Sequence, residues 1–447
     1  MPKSFITVKT NYMKTYINLI LATCISVASF AQQTPAPKQT ETIMIMNGTA
    51  HLGNGEVIKN SAIVIKDGKL SVVADAKVVK LAQEGTVIDA SGKHIYPGFI
   101  APNTSLGLVE IDAVRATDDE DDIGTMLPHI RSLIAYNAES KIVESMRPNG
   151  VLLGQITPRG GRISGTSSIV QFDAWNWEDA SVKTDDGIHL NWPNPFSTGR
   201  WWLGEDPAAK PNKNYESDIT TLETFVSNAK AYNGKDTQVN LPFKAMRGLF
   251  DGSQTLYVHA NDEKQIIDAI SFKNKFNIEK MVLVGGYQSH NLAKELKTNN
   301  IAVLTGRTHS LPDAADDDYD MPYKLPKLLM DAGVLVAIQN AGSMERANAR
   351  NLPFQAGQVA QFGLDKEDAL KLITLNAAKI LGIDDTYGTL EVGKSATLFI
   401  SEGDALDMRT NILTKAFING RDISLETHQT ELWKRYQNKV DANKAKK

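Results

Sequence analysis

Ile95-Tyr96-Pro97-Gly98-Phe99-Ile100 is where the rhythm of the chain changes. Upstream, the pattern is β with no helix-length segment between strands. Thr42–Leu52 is apolar with glycine breaks, Ser61–Lys66 and Leu70–Ala74 alternate around Asp67-Gly68, and Val87–Asp89 and Lys93–Tyr96 flank Ser91-Gly92. An Asp-Gly pair between alternating runs is a strong hairpin signal, because tight hairpin turns need positive φ. Downstream, short apolar runs alternate with segments of helical period. The runs are Gly150–Ile156, Ser167–Phe172, Thr255–His259, Lys280–Val284, Ile301–Thr305 and Val334–Gln339. The helical segments include Glu263–Phe276, His290–Thr298, Tyr323–Ala332 and Lys366–Leu381, the last with Asp365 where an N-cap belongs. Such alternation implies right-handed crossovers and a parallel sheet. Seven or eight units over about 290 residues suit a closed (β/α)8 TIM barrel better than an open sheet.

The end of the chain turns back to β. Gly388-Thr389-Leu390-Glu391-Val392-Gly393-Lys394 leads into Ala396–Ser401, and Lys415–Asn419 meets Gly420 at a turn. The expected α/β architecture is therefore a barrel over residues 95–388 plus a small β-sandwich composed of the N-terminal segment 42–94 and the C-terminal segment 389–425. A charged helical tail follows over residues 426–447.

The 447 residues suit one large domain or a barrel with a small companion. With 42% hydrophobic and 22% charged residues the chain can bury a sizeable core. A formal net charge of -4 gives no basic face, so no nucleic-acid partner is expected. Cys24 is the only cysteine. No disulfide can form within the chain, and any metal would have to be held by His and carboxylates.

The first segment reads as an export signal. Lys14 precedes an apolar stretch from Ile17 to Val27, and Ala28-Ser29-Phe30-Ala31 stands before Gln32. Charged start, short apolar middle and small-residue exit are the signal-peptide order. The stretch is short for a bilayer span. The expectation is a signal peptide over residues 1–31, a flexible linker over 32–41, and a periplasmic or secreted protein with no membrane span after signal removal. Start at Met13, and lipidation at Cys24, remain alternatives.

Two segments carry a family resemblance. Ile95–Ile100 resembles the entry to the first barrel strand of the amidohydrolase superfamily. Thr374-Leu375-Asn376-Ala377-Ala378-Lys379-Ile380-Leu381-Gly382, with the Gly388–Leu398 stretch after it, resembles that family's last helix and return strand. The similarity runs in order from about Thr42 to Arg421 and is nearest the imidazolonepropionase-like hydrolases. It implies hydrolysis of non-peptide C–N bonds in cyclic amides or small peptide-like substrates, with zinc or a similar divalent metal. It also implies where the ligands should stand. The His-x-His of the first barrel strand falls on Asn103 and Ser105, with Ala101 in place of the preceding acid. A later strand end supplies His259. The next His position falls on Gly285, and the catalytic Asp on the segment Gln339–Ala341, with Asn340 adjacent. The bridging Lys or Glu has no clear counterpart; Lys244 is in range. One good ligand of about five survives, whereas a catalytic zinc needs about three, so no cofactor is expected.

The remaining candidates are weighed against bland readings. His259 is the first catalytic candidate, or else a hydrogen-bonded structural His. His309, beside Arg307 on a βα loop, is the second. Asn261 and His290, near strand ends, are pocket candidates, although a surface His at a helix start is the simpler reading of His290. Pro158–Gly165 is glycine-rich and carries Arg159 and Arg162, which could clamp a carboxylate or merely decorate a turn. Acidic runs at residues 118–122 and 316–320 read as solvated loops. Asn191–Lys210, with Trp192, Trp201 and Trp202, reads as a long insertion that suits ligand or partner contact. Three functions follow: a hydrolase by a non-standard arrangement, a non-catalytic small-molecule binder, or an assembly partner of a paralogous amidohydrolase or of itself as a homo-oligomer.

Overall fold

The computed structural model describes residues 34–206, 208–234, 238–314 and 316–444. Residues 1–31, for which a signal peptide is expected, lie outside the described residues. The described chain from Ala36 onward forms one compact unit.

The N-terminal strands are β1 (Ile43–His51), β2 (Val57–Lys66), β3 (Lys69–Asp75), β4 (Thr86–Asp89) and β5 (His94–Pro97). The turn at Asp67-Gly68 has both residues at positive φ, 51° and 77°, as a tight hairpin requires. The barrel strands follow: β6 (Phe99–Thr104), β7 (Val151–Ile156), β8 (Ile163–Gln171) and β9 (Ser181–Asn191). After a two-residue pairing of β10 (Phe196–Ser197) with β11 (Lys210–Pro211) come β12 (Thr255–Ala260), β13 (Met281–Gly285), β14 (Ala302–Thr305) and β15 (Val336–Ile338). The chain closes with β16 (Leu398–Ser401), β17 (Leu413–Ile418), β18 (Arg421–Asp422) and a helix, His428–Lys444, that buries none of its residues.

Strands from both ends share one eight-stranded sheet, in which β16 runs antiparallel to β5. That sheet has its own apolar core around Ile45, Ile63, Ile65, Ile95, Leu398 and Phe417. Two polar clusters tie it to the barrel. Asp173 takes Arg421 at 2.7 Å and Arg147 at 3.5 Å, with Asp173 and Arg147 both fully buried. His51 Nδ1 meets the Glu367 carboxylate at 2.7 Å, and its Nε2 meets His94 Nδ1 at 2.9 Å. The His51 ring stacks on Tyr96 with centroids 4.3 Å apart.

The barrel sheet has eight strands in the order β6 to β9, then β12 to β15. It differs from the expected all-parallel form in one strand: β8 is antiparallel to both β7 and β9. The reason is local. Only Thr157–Arg162 separates β7 from β8, and a parallel crossover needs a dozen or more residues. Gly160 and Gly161, at φ 77° and 59°, make the turn instead. Helices Glu263–Phe276, Ala293–Thr298 and Met321–Asp331 make the later crossovers. β6 and β15 do not form a ladder with each other. The backbone of Leu372 and Ile373 lies between them, with Leu372 accepting from Ile338 N–H and Ile373 from Ile100 N–H.

Candidate active site in the barrel lumen

Barrel chemistry gathers at the C-terminal ends of the strands. There β9 and β12 run side by side with His189 opposite Tyr257 and Asn191 opposite His259. Side chains two apart on a strand share a face, so Tyr257 and His259 point the same way. His189 stacks on Tyr257, with centroids 4.6 Å apart and planes 6° apart. His189 Nδ1 meets His259 Nε2 at 2.9 Å, and His189 Nε2 meets Ser167 Oγ at 3.0 Å.

Behind them lies a buried carboxylate. Asp186 accepts from Ser167 Oγ–H at 2.8 Å, from Gln155 Nε2–H at 2.8 Å and from Tyr257 Oη–H at 2.8 Å. Tyr257 reaches it across Gly187. A Cβ at Gly187 would stand 2.4 Å from the Tyr257 ring. Burial raises the Asp186 pKa, while the bonds from Ser167, Tyr257 and Gln155 hold it down. Burial pushes the His259 pKa down to about 3, helped by the nearby Arg159 cation. It holds His189 well below its ordinary value, with His259 and Arg159 adding to the effect. Both rings are therefore neutral at neutral pH. His259 is half-buried, and among the described residues nothing bonds its Nδ1.

A second network fills the mouth beside β6. A register shift between Ala101 and Thr104 puts Asn103 at φ 49°, so Asn103 and Ser105 do not project as an ordinary i, i+2 pair. Asn103 Oδ1 accepts from Arg159 Nη1–H at 2.7 Å, and Asn103 Nδ2 donates to Gln339 Oε1 at 3.3 Å. Glu345, 5% exposed, accepts from Thr104 Oγ1, Ser105 N–H and Arg159 Nη2. Arg346 adds bonds to Ser105 Oγ and Glu120.

The sequence candidates divide. His259, Asn103 and Arg159 face the same mouth, and Ser105 is taken up by Glu345. Arg162 turns aside to Asn191 O and Asp218. Asn261 is exposed, its side-chain oxygen facing Tyr287 N–H at 3.4 Å. Arg307 donates to Ser343 O. Asn340 is buried, its oxygen bonded by Gln355 and its Nδ2 without a partner. His290 has a buried, unpartnered Nδ1 in the short turn Ser289–Leu292. His309 is exposed beside Gln358 and Tyr323, so it does not join His259. The acidic run at 118–122 is only partly a solvated loop, since Glu120 pairs with Arg346 at 3.1 Å. Trp192 is buried with its Nε1 on Tyr215 Oη, whereas Trp201 and Trp202 are exposed. Lys244 sits in the helix Leu241–Ala245, before the N-terminal end of β12.

These residues do not fit a zinc-type site. Of the candidate donors only His259 Nδ1 is left over: His189 is held by His259 and Ser167, Asp186 by three donors, and Glu345 by Thr104, Ser105 and Arg159. Gly285 stands at φ 94°, where an imidazole-bearing residue would be strained. Among the described residues no group of three or more His, Cys, Asp or Glu side chains is placed to hold a metal ion.

The profile of the Amidohydrolase family matches residues 252–424, which span β12 to β18. Over that stretch the chain matches the amidohydrolase family. It is similar to the imidazolonepropionase of Picrophilus torridus, with 23% identity over 82% of this chain and 93% of that protein. The imidazolonepropionase of Fusobacterium nucleatum is 22% identical over 82% of this chain and 91% of that one. Among solved structures, an amidohydrolase from Thermotoga maritima superposes with a TM-score of 0.73 and 22% identity, covering 86% of this chain and 99% of that one. That likeness concerns the fold. The amidohydrolase barrel with its β-rich partner is thus the architecture here.

Sequence reading missed His189, Asp186, Ser167, Gln155 and Glu345. A signal for β9 existed: Ile188 and Leu190 alternate with His189 and Asn191, a period of two just before the Trp192 insertion. No comparable signal marks Glu345, which is placed by the left-handed turn at Met344 (φ 57°).

Proposed function

We propose that this protein is an exported hydrolase of non-peptide C–N bonds, acting on a small cyclic amide or peptide-like molecule in the barrel lumen without the family's metal assembly. The observation that carries the reading is the neutral His259 ring, its Nδ1 free beside Arg159 and Asn103. In this reading a water adds to the substrate carbonyl carbon while His259 Nδ1 takes its proton. The same proton passes to the leaving nitrogen as the C–N bond breaks. Arg159 supplies positive charge near the developing oxyanion. Burial and Arg159 make His259 a weak base, so turnover is expected to be slow.

A second reading has support of its own. The Arg159–Glu345 ion pair, at 3.1 Å, occupies the mouth, and a lumen filled in this way suits binding without turnover. The test is a hydrolysis screen of imidazolone, hydantoin and cyclic dipeptide substrates, before and after chelation, with elemental analysis of the protein. Slow turnover that survives chelation, in protein holding far less than one transition metal per chain, is expected. Binding without turnover would favour the second reading. Near-stoichiometric zinc would overturn the metal-free part.

A further inference from the structure

The lumen histidines belong to a hydrogen-bonded chain whose direction can be read from its ends. At one end the Asn103 backbone N–H, which can only donate, points at Gln155 Oε1 at 3.0 Å. That fixes the amide: Gln155 must turn its Nε2 toward Asp186. Tyr257 Oη–H also donates to Asp186, so this carboxylate is an acceptor on every side. Ser167 then spends its single proton on an oxygen that can only accept, Asp186 Oδ1 at 2.8 Å in preference to Gly187 O at 3.2 Å. With that proton committed, Ser167 Oγ can only accept from His189, whose Nε2 must carry hydrogen. His189 Nδ1 is then a lone pair, and it must accept from His259 Nε2–H. One position remains. His259 Nδ1 has no proton and faces the lumen.

We propose that Asp186, acting through Ser167 and His189, is a positioning group that locks His259 in the Nε2–H tautomer and keeps its Nδ1 as a proton acceptor toward the bound substrate. The inference deepens the hydrolase reading and rests on it for its purpose, but the tautomer itself is a property of the resting protein. Asn103 is coupled to the same chain through Gln155, and so to Arg159. A ligand that displaces Arg159 from Asn103 would therefore disturb the anchor of the base as well as the mouth. Tyr257 stacks on His189 and donates to Asp186, so it braces two links of the chain at once.

The experiment uses the whole chain with ¹⁵N-labelled histidine. Two-bond ¹H–¹⁵N correlation reports which ring nitrogen carries hydrogen, and His189→Gln and His259→Gln variants assign the two rings. Both rings are expected as the Nε2–H tautomer. In Asp186→Asn the Ser167 proton is released from the carboxylate, and His259 is expected to become a mixture of tautomers. Ser167→Ala should give the same mixture if Asp186→Asn does not fold, and Ser167→Thr should restore the single tautomer. Carbethoxylation of His259 by diethyl pyrocarbonate, followed by peptide mass analysis, gives a second readout. Its rate at Nδ1 should fall about twofold in Ser167→Ala, because losing one hydrogen bond of about 1 kcal/mol shifts the tautomer ratio about fivefold, toward an even mixture. A wild-type His259 in the Nδ1–H form would overturn the proposal. So would a ring pair bridged by metal with no proton between them, or tautomers unchanged in folded Asp186→Asn and Ser167→Ala. None of these readouts needs turnover. Absence of hydrolysis with the expected tautomers would reject the hydrolase reading alone.

Discussion

Two pairs of histidines meet ring to ring in this chain, and they are built alike. His51 and His94 join at 2.9 Å beside Tyr96, where the sheet meets the barrel. His189 and His259 join at 2.9 Å beside Tyr257, in the lumen. Each pair places one ring flat on a tyrosine. They differ in how they end. His51 is capped directly by Glu367, so its outer nitrogen is used up in a contact between two parts of the fold. His189 reaches its carboxylate only through Ser167, and His259 leaves its Nδ1 without a partner among the described residues. Among the described residues neither His94 Nε2 nor His259 Nδ1 has a hydrogen-bond partner, so the motif serves as a clasp where Glu367 holds its inner ring directly, and as the candidate reactive group where its outer ring stands near Arg159.

The largest expected effect separates the pairs by activity. On any substrate found by the screen, His259→Gln should lower kcat/KM by about 10²–10⁴-fold, the range for losing a general base. His94→Gln should leave it unchanged. Equal losses in the two variants would erase the distinction. Next comes stability at the lumen. Glu345→Ala strands Arg159 without its carboxylate, and breaking a buried pair in this way costs about 3–5 kcal/mol. Urea denaturation measures it, and a loss below 1 kcal/mol, the ordinary worth of an exposed pair, would mean the mouth is wetter than the 5% exposure of Glu345 implies. Glu367→Gln at the clasp should cost less, about 1–2 kcal/mol, since the lost bond is one of moderate exposure.

The smallest effect is in pH dependence, and its sign is fixed. His259, at about 3, and His189 and His94, both lowered mainly by burial, bind protons more readily in the unfolded chain, where a histidine titrates near 6.5. Stability attributable to them is full above that unfolded value. It is lost as pH falls toward the folded values. The urea midpoint should therefore drop between pH 8 and pH 4.5. His259→Gln should reduce that drop more than His94→Gln does. A steeper drop in His259→Gln would show that the ring is charged in the folded state.

Much of the architecture could be read before the coordinates. The Asp67-Gly68 hairpin, the strands ending in His259 and Val284, and the return to β after Gly388 are local patterns, set by turn chemistry and hydrophobic period. The reversal of β8 was not legible, because an apolar run has no direction until the connection before it is known to be short. At the site, His259 and Arg159 could be named from motif position. Their partners could not. Asp186, Ser167 and Gln155 come from three adjacent strands, β9, β8 and β7, and only the antiparallel pairing and register of β8 between the other two make them neighbours. His309 misled for the opposite reason: a βα loop fixes which end of the barrel a residue occupies, but not whether its side chain turns inward.

The seam at Leu372 and Ile373 has a consequence for how the molecule comes into being. Until those carbonyls meet Ile100 and Ile338, β6 and β15 are both open edges with unpaired backbone groups. Ile100 waits for a partner almost three hundred positions later, and β5 waits still longer for β16. Such distant closures make folding slow. A growing or truncated chain that stops before residue 372 therefore carries two sticky edges and half a sheet, which makes it prone to cling to its neighbours. The helix-start segment Thr374–Gly382, the most family-like stretch in the sequence, stands directly behind the residues that zip the barrel shut. Its first duty is to end that vulnerable interval.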